Sequence, residues 1–160
     1  FRFLLWHVFA DVIYFCSSTV LYPFSGTAIF ALWLRLMGAK IGKNVFISPE
    51  QGGYRELNFL EIGDDAVVLT PNLHAHYTDH GTLQFAPVKI SAGCRINVGA
   101  TVLPLTKYEP GCTLRPFAVA MKGQKFEAGT VYVGNPSAPM LGGTAILLSG
   151  QGTQYAGMLS

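Results

Sequence analysis

Three of the four histidines of the chain, His74, His76 and His80, fall within seven residues, and Asp79 stands beside the last of them. A neutral imidazole near pH 7 takes a proton from an amine or hydroxyl as that group attacks a carbonyl. A carboxylate next to such a ring fixes its tautomer and stabilises the imidazolium. Only 12% of the residues are charged, so this short stretch is where reactive side chains concentrate. Between Ile90 and Tyr132 the chain offers Arg95, Lys107, Arg115 and Lys122 among its charged residues, but no histidine.

The elements that hold this stretch show themselves by a period of six. Ile90, Ile96, Val102, Tyr108, Leu114, Ala120, Phe126 and Tyr132 share one phase, all of them apolar. Four places on come Cys94, Ala100, Thr106, Cys112, Ala118 and Thr130, a column of small residues broken only by Gln124. Glycine precedes the small residue at Gly93, Gly99, Gly111, Gly123 and Gly129, and proline recurs at Pro104, Pro110 and Pro116. Six matches neither the helical 3.6 nor a hairpin sheet; it matches a triangular solenoid with one hexapeptide per side. The large residues fill the interior, the small ones sit at corners, and glycine and proline make the turns.

The fold class read from this pattern is all-β, a solenoid spanning about residues 41–136. Ile90, Tyr108 and Phe126, one coil apart, should stack in one internal column. Cys94 and Cys112 are also one coil apart, about 4.8 Å. Parallel Cβ vectors suit a disulfide poorly, so they read as two small buried thiols. Two insertions break the phase. Gln51–Asn58 reads as a polar bulge, and Leu73–Phe85, which carries the histidines, as a loop extruded from the side of the coil. Loops of this kind carry function more often than the elements they join.

Residues 1–38 differ from the rest. Phe3–Phe24 is mostly apolar and as a helix would be about 33 Å long, enough to cross a bilayer core. His7, Asp11, Tyr14 and Ser18 fall on one face of that helix, and Pro23 stops it. Ser25-Gly26-Thr27 offers an N-cap for a second helix over Ala28–Met37, closed by Gly38. Arg35, Lys40 and Lys43 lie where anionic headgroups would meet them. The expected organisation is two hydrophobic, membrane-associated helices over 1–38, the solenoid over 39–139 and an irregular tail over 140–160. The mean hydropathy is +0.35 and the net charge +2, which leaves no nucleic-acid footprint.

The repeats, followed by Gly134-Asn135-Pro136-Ser137, resemble the left-handed parallel β-helix of the hexapeptide-repeat acyltransferases. Leu73-His74-Ala75-His76-Tyr77-Thr78-Asp79-His80, returning to the coil at Ala86-Pro87-Val88, looks like the loop that holds the general base in that superfamily. Counting back from Pro87, His76 matches the base best and His74 second. Ser25-Gly26-Thr27, Trp33 to Gly42, the His76 loop and Val119-Ala120-Met121-Lys122-Gly123 resemble more narrowly the C-terminal membrane region of poly-lysine-synthetase-type nonribosomal peptide synthetases. There, acyltransferase-like domains alternate with membrane segments. The chain departs from the superfamily at Arg95-Ile96-Asn97-Val98 and Pro104-Leu105, and from the narrower group at Thr78-Asp79-His80-Gly81, where an arginine is missing.

The resemblance implies transfer of an acyl or aminoacyl group from a CoA or phosphopantetheine carrier-protein thioester to an amine or hydroxyl. His76 is then the base and Asp79 its orienter. His74 and His80 contact substrate, a backbone N–H near Gly99 or Ala100 stabilises the oxyanion, and Lys122 holds a phosphate of the donor. No permanent cofactor or metal is expected. The implied partners are membrane lipid or transmembrane helices, and a homotrimer or sister β-helix domains, with the catalytic domain on the cytoplasmic side of a membrane. Two other readings stay open. One is a structural or docking β-helix module; the other is a zinc hydratase of gamma-class carbonic-anhydrase type, for which three histidines supply the ligand count.

Overall fold

The computed structural model describes Leu5, Val8, Phe9, Val12, Ile13 and residues 20–48 and 56–140. Three parallel sheets wind around one core, and the three middle coils take one strand from each. The first sheet stacks β1 (Lys40–Ile41), β3 (Leu60–Ile62), β8 (Val88–Ile90), β11 (Lys107–Tyr108) and β14 (Lys125–Phe126). The second stacks β2 (Phe46–Ser48), β4 (Val67–Leu69), β9 (Arg95–Ile96), β12 (Thr113–Leu114) and β15 (Val131–Val133), and β16 (Ala138–Pro139) closes it antiparallel. The third holds β5 (Asn72–Leu73), β10 (Thr101–Val102) and β13 (Val119–Ala120).

The register is the one the six-residue phase demands. Tyr108 pairs with Ile90 on one side and Phe126 on the other, and all three are at most 2% exposed. The Tyr108 and Phe126 rings stack at 4.3 Å, and Tyr132 meets Phe126 edge-on at 4.6 Å. Aromatic pairs of this geometry add about 0.5–1.5 kcal/mol to the burial of their area. The corner glycines carry φ between 64 and 74°, and Leu105 at 64° and Phe117 at 58° take up the same left-handed region without glycine's freedom. Cys94 and Cys112 are free and buried, their sulfurs 3.3 Å apart. The contact with Cys94 and burial together push the Cys112 thiol well above its ordinary value.

Gln124, the one break in the small column, ties down the end of the coil. Its amide donates to Ser137 O at 2.8 Å and its carbonyl oxygen accepts from Met121 N at 3.0 Å. The helix α1 (Ala28–Leu36) buries Phe30, Ala31 and Leu34 against the first coil. It ends as expected at Gly38, whose φ of 100° lets its N–H reach Arg35 O while Ala39 N reaches Leu34 O. Thr27 occupies the N-cap position, but its hydroxyl donates back to Phe24 O and leaves the helix without a side-chain cap.

Of the two helices expected, α1 is the one α-helix with described bounds. Of the first stretch, Leu5, Val8, Phe9, Val12, Ile13, Val20 and Leu21 are helical. The polar stripe expected at His7, Asp11, Tyr14 and Ser18 lies outside the described residues, as does the tail beyond Met140. No helix among the described residues is long and apolar enough to cross a membrane. Arg35 and Lys40 also have partners within the protein. Arg35 donates to the carbonyls of Ile41 and Gly42, fastening α1 to the coil, and Lys40 pairs with Glu61 at 2.8 Å.

Candidate active site

The second insertion is a hairpin rather than a loop. Leu73 still belongs to the coil through its pairing with Val102, and the chain leaves only after it. It forms β6 (His76–Asp79) and β7 (Thr82–Phe85), joined by His80 and Gly81 with φ of 45 and 76°. Two central residues with positive φ give a turn whose twist matches the strands it joins. The hairpin therefore rises from the corner between the third and first sheets, and rejoins the coil at β8.

Side chains alternate along a strand, so the hairpin has two faces. His76 is paired across the hairpin with Phe85, and Tyr77 with Gln84. His76 and Phe85 thus share one face; Tyr77 and Gln84 share the other.

The His76 face meets the end of the first insertion. The described end of that insertion leads into β3, so it too returns to the first sheet at this corner, one coil below the hairpin. Its last residues, the turn Leu57–Phe59 and Glu56 before it, come up against the hairpin. Phe59 stacks on Phe85 at 5.8 Å, and an Oε1 of Glu56 lies 2.8 Å from Nδ1 of His76. Glu56 is 8% exposed, while the His76 side chain keeps 39% of its surface open. An ionised carboxylate can only accept a hydrogen bond. In a neutral ring such a contact calls for the proton on Nδ1, and Nε2 is then the acceptor. His74 meets His76 edge-on at 5.6 Å between ring centres.

The remaining expected site residues separate from this group. Asp79 is not the orienter: it pairs at 2.8 Å with His80 at the hairpin tip, where the His80 side chain is 96% exposed. Alternation along β6 puts Asp79 on the face opposite His76. Gly99 and Ala100 do not supply an oxyanion donor. They lie at the corner between the second and third sheets, and their N–H groups are spent on Thr70 O and Asn97 O. A Cβ on Gly99 would lie 2.5 Å from the Phe117 ring, so that corner is already filled. Lys122 places its ammonium 3.4 Å from the centre of the Tyr77 ring, on the face away from His76. No three His, Cys, Asp or Glu side chains converge as metal ligands among the described residues. The exposed tip position of His80 explains why the histidine count alone misleads.

Glu56 is the residue that the sequence reading missed. It belongs to a stretch that scans as a polar bulge. The usable signal was positional, because both insertions re-enter the coil ahead of a first-sheet strand, at β3 and at β8.

No family model matches the chain. The delta-poly-L-ornithine synthetase of Acinetobacter baumannii (strain AB307-0294) is 24% identical over 115 residues, which cover 71% of this chain. The chain spans 8% of that relative's length. Among solved structures, a hexapeptide-repeat-containing acetyltransferase of Vibrio cholerae O1 biovar eltor, complexed with acetyl-coenzyme A, superposes with a TM-score of 0.53. That match has 15% identity and covers 65% of this chain and 60% of the other. A maltose O-acetyltransferase of Clostridium difficile 630 gives 0.50, also at 15% identity, over 69% and 73% of the two chains. The chain has the parallel β-helix fold of the hexapeptide-repeat acetyltransferases. The likeness read from the motifs reappears in both comparisons, in the synthetase and in these structures.

Proposed function

We propose that the chain is an acyltransferase domain in which His76 is the general base and Glu56 holds it in the working tautomer. The observation that carries the reading is the 2.8 Å contact between the buried Glu56 carboxylate and His76 Nδ1. With Nδ1 occupied, Nε2 takes the proton of an amine or hydroxyl as that group attacks a thioester carbonyl. The imidazolium that forms is then stabilised by a carboxylate shielded from water. Phe59 and Phe85 wall the ring on one side, and His74 lies at its edge as a substrate contact. The donor is a CoA or carrier-protein thioester, which the acetyl-coenzyme A of the Vibrio structure supports, on a coil of the left-handed type.

The domain works as part of a larger assembly at a membrane surface. Leu5, Val8, Phe9 and Val12 are each more than half exposed at helical spacing, as are Ile29, Leu32 and Leu36 on α1. Apolar stripes of this kind lie against lipid or sister helices.

The test is turnover by the full chain with acetyl-CoA and with aminoacyl-pantetheine thioesters, offered amine and hydroxyl acceptors, for the parent and His76→Ala. Loss of about two to four orders of magnitude in kcat, with an unchanged melting temperature, supports the base. Equal turnover by the two proteins overturns it, and a pure docking module would show no dependence on His76 at all.

A further inference from the structure

The hairpin that carries His76 pairs with nothing but itself: β6 and β7 form a separate two-stranded sheet. A two-stranded hairpin alone is marginally stable in water. Its hold on the coil therefore comes from packing on its two faces. On the His76 face that packing is Glu56 and Phe59. On the opposite face it is the contact of Lys122 with Tyr77.

The turn that presents Lys122 is firmly built. It joins β13 to β14 at the corner from which, two coils earlier, the hairpin leaves. Gly123 N donates to Pro104 O at 3.2 Å on the coil below, and Gln124 N returns to Met121 O at 3.0 Å. The Gln124 side chain closes the turn again onto Met121 N and reaches Ser137 beyond the last coil. From this base the ammonium sits 3.4 Å above the Tyr77 ring, close enough for direct contact with the π face. Tyr77 follows His76 in the strand, so a force that fixes the one ring fixes the backbone of the other.

We propose that Lys122 is a positioning residue for the His76 base, acting through the Tyr77 ring, and not a binding group for the donor. The inference rests on the acyl-transfer reading for its kinetic consequence, but the clamp itself is measurable without any turnover. Gripped from below by Glu56 and Phe59 and from above by Lys122, the hairpin keeps Nε2 at a fixed height over the corner. Removing the upper grip leaves the fold and the Glu56 contact in place, and lets β6 tilt. A displacement on the order of 1 Å costs up to about 10²-fold in rate where reacting atoms must meet in line.

The experiment compares the full-length parent with Lys122→Met, Lys122→Arg and Tyr77→Leu. Methionine keeps the length and removes the charge; arginine keeps a cation over the ring. In Lys122→Met and Tyr77→Leu, amide exchange across the hairpin, residues 76–85, should quicken by about two- to five-fold, the worth of one exposed cation–π contact. Exchange in β12 should stay unchanged, and Lys122→Arg should match the parent. Kinetically, kcat falls on the order of ten-fold in the methionine variant, with donor KM within two-fold of the parent. Parent-like hairpin exchange in Lys122→Met overturns the clamp. A raised donor KM with unchanged kcat overturns it too, and returns Lys122 to the donor's anionic group. Repeating the exchange measurement in His76→Ala keeps the two ideas apart: the clamp survives there even if His76 proves not to be the base.

Discussion

Glu56 and His76 are twenty residues apart in the sequence and 2.8 Å apart in the fold, each brought by a different insertion to one corner of the coil. Neither insertion disturbs the ladder. Leu60 pairs with Val88 on the coil above, so the segments that leave and return hold their register at this corner. His76 is thereby carried from a corner whose strands keep their pairing.

Replacing Glu56 by Gln tests what the carboxylate does for the ring. A glutamine amide can turn its NH2 to Nδ1, which favours the tautomer with the proton on Nε2 and so disables the base. We expect kcat to fall by about 10²- to 10⁴-fold, as for a base locked in the wrong tautomer, with acceptor and donor KM little changed. Steady-state kinetics on the purified full chain would show it. A variant as fast as the parent would mean that Nδ1 needs no carboxylate.

Much of the coil was legible because its rule repeats. Ile90, Tyr108 and Phe126 announce one column by an 18-residue spacing, and the structure pairs them in that column. The hairpin was legible as a place and not as a shape. His80-Gly81 is a two-residue turn, but β6 is His-Tyr-Thr-Asp and only Leu83 and Phe85 alternate in β7, so little apolar pattern marks the two as strands. The expectation of Asp79 as the orienter failed for a physical reason. Proximity in sequence put Asp79 three residues from His76, which on a strand is the opposite face. Glu56 is reached only through the fold. Gly99 and Ala100 failed similarly, since a corner N–H in a solenoid is normally spent on its own ladder.

Glu61 offers a test by pH. It stands between Lys40 at 2.8 Å and Lys89 at 3.1 Å on adjacent strands of the first sheet. The hydrogen bond from Lys40, then that from Lys89, holds its carboxyl below the ordinary carboxylate value. A depressed folded-state value stabilises above the unfolded value of 4.5 and stops doing so as the pH falls through the depressed one. The parent should therefore exceed Glu61→Gln in stability at pH 7, and the two should converge in acid below pH 4.5. The gap is about 1 kcal/mol or less, because the lysines are solvent-exposed. Thermal melts at pH 7 and pH 3 measure it; a gap that persists unchanged in acid would assign it to packing.

The interior column supplies a pair of substitutions with opposite signs. Phe126 is 1% exposed and touches aromatic rings from two coil sides, Tyr108 stacked on it and Tyr132 edge-on. Phe126→Ala empties that space, and a solenoid cannot collapse into it without losing the ladder on three sides, so a loss of about 3–5 kcal/mol is expected. Tyr108 sits one rung below in the same column, 2% exposed, and its hydroxyl has no hydrogen-bond partner among the described residues. Burial, reinforced by the Cys112 thiol, pushes the Tyr108 phenol far above its ordinary value, so it stays a neutral, poorly satisfied polar group. Such a group costs about 1–3 kcal/mol relative to its solvated state. Tyr108→Phe removes the oxygen and keeps the ring that stacks on Phe126. The variant should therefore be at least as stable as the parent, by about 1 kcal/mol or more in denaturant melts. Destabilisation by that amount instead would show that the hydroxyl is satisfied inside the coil, with Thr106, Cys94 and Cys112 as the groups to examine.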